Sequence, residues 1–425
     1  MPAALHWQAQ TTFQEVAAFP VFNSPIQGTR GVMELKNNLL RLVKFVPSVL
    51  AVALSLVTLP VPLSAAGPVL EREGGHLTLR IPEGVADVLL SEDGQFAAVN
   101  IVTFDPVRNF PARVVLAVDL RAQRVTSRIS LPTVDCCGFP VFSLTLDGRV
   151  IAVGGADRVA LFSRDGRKLL DVQLPDLTLN TELKLSRDGR LVVAGQSSGR
   201  ITALLRGRKV PVWTTPVGGD LLDLTVAGDG SSVSALTPQA ILVLAGSDGS
   251  IVRRVPVGGS FIATVASSQD GNPLTLAWKG DAWSSDAATR GTVVALLSRK
   301  GWTWRRNFGE GSFPLLQIDA VGRWVAIGDA MGLQGALISA TGEVVWRSAA
   351  RRAAVGVSSD GRPVIGQGSR LEIRDAGGRE TTWRGTVLGA AHLLRLEGRT
   401  LAVVGSRDPQ SGLADRVWFL RVGRN

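Results

Sequence analysis

One short motif recurs along this chain and constrains its fold more than any other feature: a polar turn ending in glycine, set between two apolar runs. It reads SEDG at Gly94, TLDG at Gly148, SRDG at Gly189, AGDG at Gly230, SQDG at Gly271, DAVG at Gly322, SSDG at Gly361 and RLEG at Gly398. Asp-Gly between alternating apolar runs marks a hairpin, because glycine accepts the positive φ that the turn needs. A chain with so many similar hairpins is a β repeat protein, and repetition has to be read before any other feature.

A second series runs in parallel. A small or aliphatic strand residue is followed six positions later by a turn glycine in Ala160 with Gly166, Val243 with Gly249, Ala295 with Gly301, Ala336 with Gly342, Leu371 with Gly377 and Val417 with Gly423. Two units depart: Ala117 meets Gln123, and Ala203 meets Lys209 with its glycine displaced to Gly207. Successive members lie about 35 to 52 residues apart, the length of a four-stranded propeller blade. Each unit therefore reads as strands a, b, c and d, with the first turn between a and b and the second between c and d.

The last unit ends at Asn425, just after its third strand. His76 to Ile81 (HLTLRI) alternates as the fourth strands of other units do, for example Val125 to Leu131. A strand from the front of the chain would complete the sheet begun at the end, closing the ring with no free edge. The expected fold class is all-β: a β-propeller of eight four-stranded blades closed by an N-terminal strand, with seven blades if one weak unit is misread. The 47 Gly and 21 Pro in a chain that is 45% hydrophobic agree with many short strands and tight turns.

The segment ALISATGEVVW, from Ala336 to Trp346, resembles the tryptophan-docking repeat of quinoprotein-like (PQQ-like repeat) eight-bladed propellers, and ALLRGRKVPVW, from Ala203 to Trp213, matches its two ends. The resemblance covers the mature chain as a repeat pattern and implies the propeller fold. The Asp expected at the third position occurs only as Asp119. A WD40-like alternative fits less well, since no Trp-Asp dipeptide closes any unit. Trp213, Trp302, Trp304, Trp324, Trp346 and Trp383 recur near strand ends in different units, which favours packing between blades over carbohydrate stacking.

Residues 33–66 have the order of a secretory signal: Met33, a basic stretch with Lys36, Arg41 and Lys44, an apolar run from Phe45 to Leu63, then Ser64-Ala65-Ala66 before the cut. This predicts a periplasmic or otherwise extracytoplasmic protein, with residues 1–32 as an extension ahead of the true start and residues 67–425 as one propeller domain. The competing reading is an uncleaved anchor, because the apolar run is long enough to span a bilayer. Pro47, Pro60 and Pro62 and the small residues at its end favour cleavage, leaving no stable membrane span.

Arginine supplies most of the 46 cations behind a formal charge of +10. The arginines are scattered beside turn glycines, at Arg149, Arg190, Arg323, Arg362 and Arg399 among others, with no basic stripe. That distribution favours solvated turns over a nucleic-acid-binding face, so no nucleic-acid partner is expected.

In a propeller the b-to-c and d-to-a connections share one face. Three b-to-c connections read as long: Asn100 to Ala112, Lys279 to Arg290 and Ser406 to Arg416. They carry Phe104, Asp105, Arg108, Asn109, Asp281, Trp283, Asp286, Arg407 and Asp408, a polar and aromatic mix suited to a protein or a cell-envelope component. Tolerated surface loop is the competing reading.

The only two cysteines, Cys136 and Cys137, are adjacent in a d-to-a connection on that same face. Their Cα atoms, about 3.8 Å apart, are closer than an ordinary disulfide requires, so a bond between them would be a strained, reducible ring. Quinone-dependent alcohol dehydrogenases of similar fold place such a ring against their cofactor, which implies PQQ and calcium as the alternative to a non-enzymatic binder that needs no cofactor. Stiffening of a loop is the plainer role for the pair.

Other catalytic chemistry finds little support. There are 3 His in all, with His76 and His392 isolated, which excludes a histidine-rich metal site. No nucleophile elbow and no phosphate-binding glycine loop is present. The sequence favours a binding protein over an enzyme.

Overall fold

The computed structural model describes residues 68–423 apart from 83, 106–109, 131–140, 156–157, 175–179, 197, 258–262, 280–290, 309–313, 330–334, 349–352, 379 and 408–413. The export segment and the extension before it lie outside the described residues. Among those described, every regular element is a strand, and no helix is long and apolar enough to cross a membrane.

The strands form eight antiparallel sheets, each one blade of a closed ring. Blade 1 begins with its innermost strand at Val85–Leu90 and ends with its outermost at Arg124–Ser130. Blades 2 to 7 repeat the meander with innermost strands Val141–Leu144, Asn180–Leu185, Asp223–Val226, Ala263–Ser267, Pro314–Ile318 and Ala353–Val357. Blade 8 starts at Ala390–Glu397 and has only three strands of its own, the third being Arg416–Arg421. His76–Arg80 pairs with that third strand, Leu79 opposite Val417 and Arg80 opposite Arg416. Val69–Glu73 then adds a fifth strand to the same sheet. The ring is thus sealed by the front of the chain, with one strand more than the repeat requires.

No single core sits at the centre. The apolar side chains form eight clusters, one at each junction of neighbouring blades, including the junction of blade 8 with blade 1 through Leu79, Ile81, Val417 and Val88. Middle strands are covered on both faces, and so Leu191–Gln196 is buried throughout. Burial on both faces explains why these segments read as continuous apolar runs rather than alternating ones.

The eight glycines of the first turn series all take positive φ, from 54° at Gly398 to 82° at Gly361. In the second series Gly166, Gly249, Gly301 and Gly342 do so as well. Two members are corrected. In blade 7 the left-handed residue is Gly378 (φ 73°) rather than Gly377. Gly423 follows no c-to-d hairpin, because strand d of its blade arrives from the N-terminus. Gln123, in the unit lacking a glycine, is the one non-glycine residue with positive φ among the described residues, at 53°.

The supposed loop from Asn100 to Ala112 is also corrected. Residues up to Asp105 and from Phe110 belong to strands Phe96–Asp105 and Phe110–Asp119, which stay paired to the Asp105–Phe110 row. The run of β-branched and aromatic residues there favours a paired strand over a free connection.

Candidate functional site

The a-to-b turns of blades 1, 2, 3, 5 and 7 share one local device. In blade 1, Ser91 Oγ donates to Asp93 Oδ1 (2.6 Å) and accepts from Phe96 N–H (3.0 Å), while Asp93 also takes the Gln95 N–H (2.9 Å). The same bonds recur at Thr145 with Asp147 and at Ser186 with Asp188. These aspartates serve the turns, and side-chain capture of local N–H groups is what makes them good turn residues.

In blades 1, 3, 4, 5 and 6 the second residue of the a-to-b turn links its blade to the next. Glu92 N–H donates to Leu146 O, Arg187 to Gly228 O, Gly228 to Gln269 O, Gln269 to Ala320 O and Ala320 to Ser359 O, at 2.6–3.1 Å. Ser359 in turn donates its N–H (3.2 Å) and Oγ–H (2.6 Å) to the Glu397 carboxylate. Thr400 Oγ1 returns the belt to blade 1 at Gly94 O (2.6 Å). Burial pushes the Glu397 carboxyl up to about 7, against the lowering pull of the Ser359 bonds.

Inside this belt, the innermost strands of blades 1, 3, 4 and 8 bring charges together around the central channel. Lys184 Nζ lies 3.2 Å from Glu182, and both keep partial access to solvent, 38% and 25% of their side-chain surface. Asp223 of the next blade accepts from Leu224 N–H (2.7 Å), Val265 N–H (2.8 Å) and Thr264 Oγ1–H (2.6 Å). Arg395 of blade 8 stands 3.7 Å from Asp87 of blade 1. Burial raises Glu182, Lys184 pulls it back and Asp223 raises it further, to about 7. Burial disfavours the Lys184 ammonium, yet Glu182, Asp223 and Asp87 outweigh that and shift it upward. The channel therefore holds a nearly self-neutralising ionic network.

A third feature lies on the outer rim of the turn face. Where the c-to-d turn of blade 1 meets blade 2, a cleft of about 680 Å³ is lined by Arg124, Arg149 and Arg164 with Asp119, Asp165 and Thr126 among others. Thr126 Oγ1 donates across the junction to Arg164 O (2.7 Å), fixing the two blades against each other.

Of the residues singled out from sequence, Phe104 and Asp105 occupy the last rows of the blade 1 hairpin, opposite Pro111 and Phe110. Arg407 has 63% of its side chain exposed, with Nη1 3.8 Å from Glu73 of the added fifth strand. Arg108, Asn109, Cys136, Cys137, Asp281, Trp283, Asp286 and Asp408 lie outside the described residues. The channel charges were missed, although charged residues alternating with leucine in TELKL were a visible sign of them.

The cysteine pair on which the PQQ and calcium alternative rests lies outside the described residues. Of the described channel charges, Asp223 is filled by three protein donors and Glu182 by Lys184, and among the described residues no three His, Cys, Asp or Glu side chains group as metal ligands.

These features define an eight-bladed β-propeller. No family model matches the chain, and no curated protein matches it. Solved structures share the fold. Hydrazine synthase of Kuenenia stuttgartiensis is similar at 13% identity, covering 84% of this chain and 100% of that one, with a TM-score of 0.52. The β-propeller domain of Cps50 (Swd1) from Myceliophteria thermophila is 11% identical over 81% of this chain and 99% of that one, at a TM-score of 0.52. BamB from Moraxella catarrhalis is 14% identical over 83% and 99%, at a TM-score of 0.53. Likeness at this level of identity speaks for the fold alone.

Proposed function

We propose that this chain is an exported, non-enzymatic propeller that binds a protein or cell-envelope component through the face built by its b-to-c and d-to-a connections. The observation that carries the reading is the blade 1 hairpin. Its b strand stays beside strand a only to Ile101 and its c strand beside strand d only from Val114, yet b and c remain paired to Asp105 and Phe110. Four rows thus extend past the pairing with strands a and d, roughly 13 Å at about 3.3 Å per residue. A paired hairpin extended on that face, on a scaffold whose described residues assemble no catalytic set, favours recognition over turnover. The basic, apolar and small-residue order of residues 33–66 supports export, and the reading calls for no cofactor. The tryptophan docking described below supports kinship with quinoprotein-like repeats at the level of scaffold.

Photo-crosslinking tests the reading. With a crosslinking residue at Asp105 or Asp408, protein recovered from the extracytoplasmic fraction should give one discrete adduct, absent when the residue replaces exposed Val252 on blade 4. Equal adducts at all three positions would count against the loop face, and absence from that fraction would count against export.

A further inference from the structure

The arginines that look scattered in sequence are gathered by the fold. All a-to-b and c-to-d turns share the face opposite the inserted loops. On blades 1 to 3 that face carries exposed Arg121, Arg124, Arg149, Arg164, Arg206 and Arg208. On the other side of the ring, the equivalent turns of blades 4 to 7 carry Asp229, Asp248, Asp270, Glu343, Asp375 and Glu380. Carboxylates are interspersed on blades 1 to 3 (Glu92, Asp93, Asp147, Asp165 and Asp188) and cations on blades 4 to 7 (Arg299, Lys300, Arg323 and Arg362), but cations predominate in the first, basic arc and carboxylates in the second.

The cleft between blades 1 and 2 lies within the basic arc. Its carboxylates already have local donors: Asp119 Oδ1 accepts the Ala122 N–H (2.8 Å), and Asp165 accepts the Ser163 hydroxyl. Its cations do not. Among the described residues Arg124 and Arg164 have no carboxylate within ion-pair distance, and Arg149 has only a loose 3.6 Å contact to Asp147, with 80% of its side chain exposed. Three guanidinium groups thus present free donors into one concavity, and a guanidinium fork matches a carboxylate in bidentate geometry.

We propose that this cleft takes an acidic segment of a partner protein, rich in glutamate or aspartate, through guanidinium–carboxylate pairs. A concave site flanked by Asp119 and Asp165 disfavours a flat anionic bilayer. No aromatic side chain lines it, so it lacks the stacking platform that single-stranded nucleic acid uses. The site is independent of the loop-face reading, since it lies on the opposite face and is read by its own ligand.

Fluorescence anisotropy of a labelled oligoglutamate peptide with the purified protein tests it. Saturable binding that weakens with added salt is expected, because exposed ion pairs are screened. Arg124→Glu with Arg164→Glu should weaken binding about tenfold or more, each lost pair and each new repulsion acting together. Arg124→Gln with Arg164→Gln should fall between, and Arg299→Glu with Lys300→Glu, exposed in the blade 5 turn, should bind as the parent does. An unchanged thermal midpoint in each variant separates lost binding from lost folding. The proposal is overturned if the peptide does not saturate, if both charge-reversed pairs lose equally, or if an oligonucleotide or a phosphatidylserine vesicle binds more tightly through the same arginines.

Discussion

Glu397 stands where the other blades of the turn belt offer a backbone carbonyl. The blade 8 hairpin is tight, with Glu397 directly opposite Thr400, so no main-chain oxygen reaches Ser359 and the side chain takes its place. Burial raises this carboxyl to about 7 from an ordinary 4.5. A folded-state value above the unfolded one means that ionisation opposes folding: the penalty is absent below about pH 4.5, grows up to about pH 7 and stays constant above. Glu397→Gln keeps an acceptor for Ser359 and cannot ionise. The variant should match the parent at pH 4 and exceed it by about 1–2 kcal/mol at pH 8, the shift being discounted for partial solvent contact. Denaturant unfolding of both proteins across that range checks this, and a constant difference would show that the carboxyl does not titrate in the belt. Nothing in the sequence marks Glu397, because RLEG differs from the other turns by a residue whose role depends on which blade lies beside it.

At the scale of strands and turns, the blades are joined by tryptophans that dock on the next blade's c-to-d turn. Trp213 Nε1 donates to Gly246 O (2.9 Å), Trp304 to Ala340 O (3.0 Å) and Trp324 to Ala376 O (2.9 Å). The ring of Trp213 lies against Gly249, where an added Cβ would come within 2.5 Å of it and φ is +72°. Gly249→Ala should therefore cost roughly 2–4 kcal/mol, left-handed strain plus overpacking. Gly207→Ala, at φ +93° with open space around it, should cost only the strain, about 1 kcal/mol. Urea unfolding of the two variants separates these terms, and equal costs would mean that the docking contact contributes nothing.

The turn series was legible because its chemistry is local: a hydroxyl residue, Asp and Gly within four residues build the hairpin in blades 1, 2, 3, 5 and 7, and Gly at positive φ is common to all eight. Gln123 was legible as a departure, though not that its amide oxygen would accept from Arg72 (3.2 Å) of the added fifth strand. The channel was not legible. Glu182, Lys184 and Asp223 meet only once the blades are ordered around the axis, and alternation along a strand does not say which face turns inward. The long blade 1 hairpin was misread as loop for a related reason, since a strand that leaves its blade has no neighbour to give it a repeat signature.

For the whole molecule, ring closure rests on one junction between the two ends of the chain. Arg80 faces Arg416 across the sealing pair, an arrangement that is destabilising unless neutralised. Glu73 supplies the neutralisation, 3.1 Å from Arg416 and 3.8 Å from Arg80, and Glu71 pairs with Arg80 as well. Leu79 and Ile81 are fully buried between blades 8 and 1, a contribution of roughly 3–6 kcal/mol by apolar burial alone. A chain starting at Gly84 loses both strands and leaves Arg416–Arg421, with Val417 and Phe419, as an open edge. Such an edge invites pairing between molecules. The truncated protein should melt lower and scatter light at concentrations where the parent stays clear. A synthetic peptide spanning Pro68 to Pro82 should restore both properties in trans by adding its strands to the open sheet. Rescue by that peptide but not by one with Glu73→Arg would identify the charge pairing, and not apolar burial alone, as what selects this strand for the last blade.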